Sequence, residues 1–138
     1  MKVEVRKADD VIIVDLKGRL IAGTGEELLH DVMDELIAEG WKKILLNLTE
    51  VPRIDSAGIG ELVAGVRLAK RLGSAVKVWL SGGRVRNVLE LSQILPALDV
   101  YDNEHDALTS FAGEKGQTGG PGTRQPDDAG TARNAFEP

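Results

Sequence analysis

The residues best suited to chemistry lie in one short segment, 52–60, which reads Pro-Arg-Ile-Asp-Ser-Ala-Gly-Ile-Gly. The segment follows an apolar stretch that predicts a buried strand and precedes a pattern that predicts a helix. Loops in that position commonly carry function in α/β proteins. Ser56 is expected at the N-cap of the helix, where a serine hydroxyl routinely accepts a backbone N–H. Taken alone, the segment favours that structural role over a chemical one.

Two glycines, Gly58 and Gly60, fall in the first turn of the same predicted helix. Glycine inside a helix is unfavourable by up to about 1 kcal/mol relative to alanine. Because the turn carries so few side chains, we expect another surface to approach its backbone closely. The Gly-x-Gly spacing alone is a weak indication of nucleotide binding.

Other chemistries find little support in the sequence. Ser56 lacks a Gly-x-Ser-x-Gly elbow, and His30 or His105 would have to come from a distant element, which disfavours serine hydrolysis. Segment 18–24 has the glycine spacing of a phosphate-binding loop but no lysine at the required position. Paired carboxylates, as at 34–35, are typical of solvated surface charge. We therefore expect a binding protein that is not an enzyme and needs no cofactor or metal.

Composition excludes several further classes. The 138 residues include no cysteine, so disulfides, thiolate catalysis and cysteine metal sites are excluded. A formal net charge of −5 argues against a nucleic-acid surface. No stretch approaches the roughly 18 apolar residues of a membrane span, and no signal peptide is evident. These features predict an acidic cytoplasmic protein that binds no nucleic acid and does not insert into a membrane.

The composition changes once along the chain. Residues 1–112 hold all of the periodic apolar pattern, which predicts a single domain. Residues 113–138 contain six of the 16 glycines and three of the five prolines, with few apolar residues. Such a segment cannot bury enough surface to offset the entropy of ordering. We expect it to be a disordered Gly/Pro-rich C-terminal tail.

Alternating patterns predict the elements that position segment 52–60. Helices are expected from Thr24, which forms a predicted capping box with Glu27, and after Asn103, a predicted N-cap. Alternation of strands and helices predicts an α/β domain with helices against a mostly buried sheet. Strands are predicted at 3–7, 11–17, 43–48 and 75–80, with a short extended piece at 99–101, and further helices at 57–72 and 84–91.

Three matched stretches resemble the STAS domain of anti-sigma-factor antagonists. They are Val-Asp-Leu-Lys-Gly-Arg-Leu at 14–20, Ile-Leu-Leu-Asn-Leu at 44–48 and Ile-Asp-Ser-Ala-Gly-Ile-Gly at 54–60. The resemblance covers about residues 2–112. It implies a small mixed β-sheet of four to five strands flanked by four to five helices. One departure is Ile21, which stands where relatives often carry an acidic residue.

The resemblance also implies a role for Ser56 as the acceptor of a phosphate. The implied partner is an anti-sigma factor that is also a serine kinase, with a serine phosphatase reversing the modification. A phosphate would add about −1.5 to −2 charge beside Asp55, at a helix N-terminus that tolerates it, so the fold should not change. The implied contact surface consists of Arg53, Asp55, Ser56, Gly58, Ile59, Gly60, Ile21, Thr24, Gly82, Gly83 and Arg84.

Two alternatives remain open at this stage. One is a STAS interaction module that is not phosphorylated and belongs to a signalling assembly or a membrane transport complex. The other is a nucleotide-binding protein, which the missing phosphate-loop lysine disfavours.

Overall fold

The structure, a computed structural model, describes residues 1–114. Most of the predicted tail, residues 115–138, lies outside the described residues. Two short 3₁₀ turns, Leu95–Ala97 and Phe111–Glu114, accompany the main elements. Those elements are, in chain order, β1 (Lys2–Ala8), β2 (Val11–Lys17), α1 (Glu26–Ala38), β3 (Lys43–Glu50), α2 (Ser56–Arg71), β4 (Ala75–Trp79), α3 (Arg84–Leu91), β5 (Val100–Tyr101) and α4 (Glu104–Ser110).

The five strands form one mixed sheet in the order β1-β2-β3-β4-β5. β1 runs antiparallel to β2, and β2 to β5 are parallel neighbours. Each parallel connection advances by one strand in the same direction. Because such crossovers are right-handed, α1, α2 and α3 all lie on one face of the sheet. The predicted α/β class, with a small mixed sheet and helices around it, is confirmed.

The main core lies between that face and the three crossover helices. Leu29 and Met33 of α1, Leu62 of α2 and Leu89 of α3 pack with alternate residues of the strands. A smaller cluster on the opposite face joins Val11, Ile13 and Leu45 to Ala107 and Phe111 near α4. Successive strand residues point to opposite faces. The four apolar residues at 11–14 are therefore all buried, as their unbroken apolar run predicts.

The predicted capping box of Thr24 and Glu27 is wrong. α1 begins at Glu26 after an N-cap at Gly25, whose φ is 93°, and no side chain caps it. The backbone of Thr24 is instead paired with that of Ile21, N–H to carbonyl in both directions at 2.9 Å. The N-cap thus lies one residue later than predicted. The predicted cap at Asn103 is confirmed, since its side chain accepts from the N–H of Asp106.

Candidate functional site

The start of α2 is capped by Asp55, and the prediction that Ser56 is the N-cap is wrong. Asp55 has an extended backbone, and its Oδ1 accepts from the N–H groups of Ala57 at 3.0 Å and Gly58 at 3.1 Å. A carboxylate in this position satisfies two of the free N–H groups of the first turn. Ser56 becomes the first helical residue, and its side chain is exposed. The hydroxyl of Ser56 is thus not needed as a cap.

The second oxygen of the same carboxylate reaches another loop. Asp55 Oδ2 accepts from the backbone N–H of Ala22 at 3.0 Å. Next to it, the N–H of Leu20 donates to the carbonyl of Arg53 at 2.9 Å. The loop that follows β2 and the loop that follows β3 are therefore held together at the carboxyl end of the sheet. The sequence reasoning missed this connection, although Asp is as good an N-cap residue as Ser.

These hydrogen bonds also set the charge of Asp55. The backbone N–H groups of Ala22, Gly58 and Ala57 favour the ionised carboxylate and hold the pKa of Asp55 below its ordinary value. Asp55 is therefore a fixed negative charge beside Ser56 at physiological pH. A group added to the Ser56 hydroxyl would meet that charge.

The two glycines of the first turns differ in their surroundings. Gly58 is buried, and a Cβ there would collide with the carbonyl oxygen of Leu20 and with the side chain of Ile54. Its missing side chain admits the adjacent loop of the same chain, so the expectation that Gly58 exposes backbone to a partner is wrong. Gly60 is exposed, and a Cβ there would meet nothing within 4 Å.

The remaining candidate residues lie in three loops and differ in their exposure to solvent. The structure brings the loops at 20–24 and 53–56 together through the Asp55 contacts. The loop at 82–84 follows β4, the neighbour of β3, and so lies at the same edge of the sheet. The exposed residues are Arg53, Ser56, Gly60, Gly82, Gly83 and Arg84, whereas the half-buried ones are Ile21, Thr24, Asp55 and Ile59.

His30 is engaged away from Ser56. Its Nδ1 lies 3.1 Å from Glu61 Oε1 on α2, and its Nε2 lies 3.2 Å from Asp34 Oδ2 on α1. The contact with Glu61, together with the charge of Asp34, raises the pKa of His30. Carboxylates that favour the charged form of a histidine make it less suited to act as a general base.

Within residues 1–114, no group of three or more His, Cys, Asp or Glu side chains is placed to hold a metal ion. In the same residues, no helix is both long and apolar enough to cross a bilayer.

Comparison with known proteins defines the class. The sequence profile of the STAS domain matches residues 2–107, and the chain belongs to the STAS-domain family. The chain is 29% identical over 112 residues to the anti-sigma F factor antagonist of Paenibacillus polymyxa, covering 80% of this chain and 95% of that one.

Solved structures agree with this assignment. The crystal structure described as an anti-sigma factor antagonist from Thermotoga maritima is 26% identical, with a TM-score of 0.68, and covers 78% of this chain and 92% of that one. The fold is also found in the murine Slc26a9 anion transporter, at 17% identity and a TM-score of 0.67. There the match covers 78% of this chain and 18% of the transporter, and it concerns the fold alone.

Proposed function

We propose that this chain is an anti-sigma-factor antagonist that regulates sigma-factor-dependent transcription. It binds an anti-sigma factor that is also a serine kinase, and the kinase switches it off by phosphorylating Ser56. A serine phosphatase restores the unmodified form. The protein acts in the cytoplasm by binding and performs no catalysis itself. Its similarity to named anti-sigma factor antagonists supports the general role, and the geometry around Ser56 supports the switch.

The observation that carries the proposal is the exposed Ser56 side chain beside an already bonded carboxylate. The N–H groups of Ala57 and Gly58 donate to Asp55 and are therefore not free to donate hydrogen bonds to a phosphate. A phosphate on Ser56 would therefore face outward. Together with Asp55 it would concentrate a charge of about −2.5 to −3 at one point of the surface.

The fold should be unaffected by this change. The Asp55 hydrogen bonds do not involve the Ser56 side chain, and the helix N-terminus tolerates negative charge. The penalty falls on the complex, where a partner built to contact the neutral hydroxyl must accommodate a bulky dianion. A loss of about 3 kcal/mol of binding free energy already lowers affinity more than a hundredfold.

The proposed contact surface surrounds Ser56 at the carboxyl edge of the sheet. Its exposed members supply polar groups and bare backbone, and Ile21 and Ile59 supply half-buried apolar area. In this account Asp55 positions the two loops, and Gly58 lies beneath the surface. The contact residues are Ile21, Thr24, Arg53, Ser56, Ile59, Gly60, Gly82, Gly83 and Arg84.

Co-purification from the host tests the proposal. The full chain with Ser56→Ala is used as bait beside Ser56→Asp, and Ser92→Asp places the same charge at an exposed serine outside the contact surface. We expect Ser56→Ala and Ser92→Asp to retain a protein with serine-kinase activity, and Ser56→Asp to lose it. Retention of the same partners by all three baits, or recovery of transporter subunits instead, would contradict the proposal.

A further inference from the structure

The outer edge of β1 is a surface that the proposed function does not use. β1 pairs with β2 in an unbroken antiparallel register of seven residue pairs, from Lys2 opposite Lys17 to Ala8 opposite Val11. Within residues 1–114, no strand pairs with its other side. An edge strand presents a row of unpaired N–H and C=O groups that can accept another strand. The sequence of β1 contains neither proline nor glycine to prevent this.

The centre of this strand carries an exposed apolar side chain. Val5 is 49% exposed, although its neighbour across the sheet, Val14, is completely buried. Side chains alternate along the strand, so Val5 shares a face with Val3 and Lys7, while Glu4 and Arg6 lie on the other face. A strand added beside β1 would cover Val5.

We propose that β1 pairs antiparallel with β1 of a second copy of this chain, with the two-fold axis passing beside Val5. Such a dimer joins the two sheets into one continuous ten-stranded sheet. A two-fold axis perpendicular to the sheet preserves its faces, so only registers centred on a residue are possible. The strand that pairs with β1 is thus β1 of the second copy, and the charged side chains of β1 determine the register.

Only one central register uses the whole strand and matches its charges. With Val5 on the axis, Glu4 lies opposite the partner's Arg6, and the symmetric pair forms on the other side of the axis. With Glu4 on the axis, Glu4 meets the partner's Glu4, and Lys2 meets the partner's Arg6. With Arg6 on the axis, two arginines meet. Like charges directly opposite each other are destabilising, whereas opposite charges stabilise a strand pair.

Both charges of this register also have partners within their own chain. Arg6 donates to Asp15 at 2.7 Å and to Glu104 at 2.9 Å, and Glu4 lies 3.3 Å from Lys17. The contact with the second copy therefore adds to existing ion pairs and contributes modestly. Two paired strands bury less area than the roughly 1,200 Å² of the smaller stable interfaces. We therefore expect weak self-association, with a dissociation constant of roughly 10–100 µM.

A cysteine placed on the axis tests the register. The chain contains no cysteine, so Val5→Cys introduces a single thiol. Residues directly opposite in an antiparallel pair have Cα atoms about 4.5–5.5 Å apart, within the range of a disulfide. Lys7→Cys is the control, because position 7 and its symmetry mate lie four residue steps apart, about 13 Å along the strands. Under mild oxidation we expect Val5→Cys to cross-link at least tenfold faster. Equal rates would overturn the proposal.

A charge-swap experiment tests the pairing without cross-linking. Sedimentation velocity at about 0.5 mM of the full chain should show dimer for the wild type. Glu4→Arg and Arg6→Glu should each be monomeric, because each places like charges in both symmetric pairs. An equimolar mixture of the two variants restores both pairs and should dimerise. A monomeric wild type, or dimerisation that neither variant alters, would overturn the proposal, and circular dichroism checks that both variants fold.

Discussion

Asp55 Oδ2 lies 3.0 Å from the backbone nitrogen of Ala22, so one carboxylate joins the loop before α1 to the start of α2. Its other oxygen caps α2 through Ala57 and Gly58. The proposed phosphoacceptor, Ser56, is the next residue. The site is therefore built on a junction between two loops, and its shape depends on Asp55 more than on Ser56.

Asp55→Asn should loosen that junction. The amide has one acceptor oxygen in place of two, so either the cap or the contact with Ala22 is lost. We expect the melting temperature to fall by several degrees and the Ala22 amide to exchange faster with deuterium. Asp31→Asn, at an exposed position on α1, is the control and should change neither quantity.

The contribution of Asp55 to stability should depend on pH. Its pKa is lowered in the folded protein, so the stabilisation is present above the ordinary pKa of about 3.9 and is lost as the pH falls through the folded value. The melting-temperature difference between wild type and Asp55→Asn should be constant from about pH 5 to 7 and shrink below about pH 4. A difference that grows with acidification would contradict this account.

Gly58→Ala and Gly60→Ala should have opposite effects on stability. A Cβ at Gly58 meets the Leu20 carbonyl and Ile54, and overpacking of this kind costs about 1–3 kcal/mol. A Cβ at Gly60 meets nothing, and alanine in a helix is favoured over glycine by up to about 1 kcal/mol. Urea unfolding of both variants measures the two effects. Equal destabilisation would mean that the Leu20 loop does not pack against α2 as described.

His30→Gln should destabilise the protein at low pH and leave its stability unchanged at high pH, because only the charged imidazole gains from its carboxylate neighbours. Glu61 and Asp34 raise the pKa of His30, so its stabilisation is complete below about pH 6.5 and disappears as the pH rises through the folded value. The melting temperature of the variant should be lower than that of the wild type at about pH 6 and equal to it at about pH 9. His105→Gln removes the other histidine and serves as the control. If the melting temperature of the variant is lower by the same amount at both pH values, the contact between His30 and Glu61 does not depend on the charge of the imidazole.

Ser56→Asp should weaken the isolated complex with the kinase partner at least a hundredfold, and Ser56→Ala should bind like the wild type. The reason is the second negative charge placed beside Asp55, where the partner must make contact. Titration calorimetry measures both affinities, and Ser92→Asp controls for added charge in general. If Ser56→Asp binds as tightly as the wild type while its circular dichroism is unchanged, the electrostatic account fails.

Sequence patterns were sufficient to predict the architecture. The apolar run at 11–14 predicts a strand buried on both faces, and the apolar stripe after Glu27 predicts a helix against the sheet. Both predictions are confirmed because burial in a small α/β domain leaves few alternatives.

The local chemistry of the site could not be predicted in the same way. Asp55 and Ser56 are equally good N-caps. In the structure Asp55 takes the position, and its second carboxylate oxygen also accepts from Ala22. Gly58 and Gly60 look alike in sequence, and their different roles depend on Leu20, which is distant along the chain. Lys77, on β4 and outside the site, is a further residue whose surroundings could not be predicted from the sequence. Its buried Nζ lies 3.0 Å from Asp99 and over the rings of Tyr101 and Phe111, which come from β5 and from the turn after α4.

Phosphopeptide mass spectrometry of the protein from its own host, growing and stressed, directly tests the switch at Ser56. We expect a modification of about 80 Da on Ser56 whose stoichiometry changes with the condition. Absence of phosphate at Ser56 under every condition, in a sample where the unmodified peptide is detected, would contradict the proposed switch. The chain would then be a constitutive STAS interaction module.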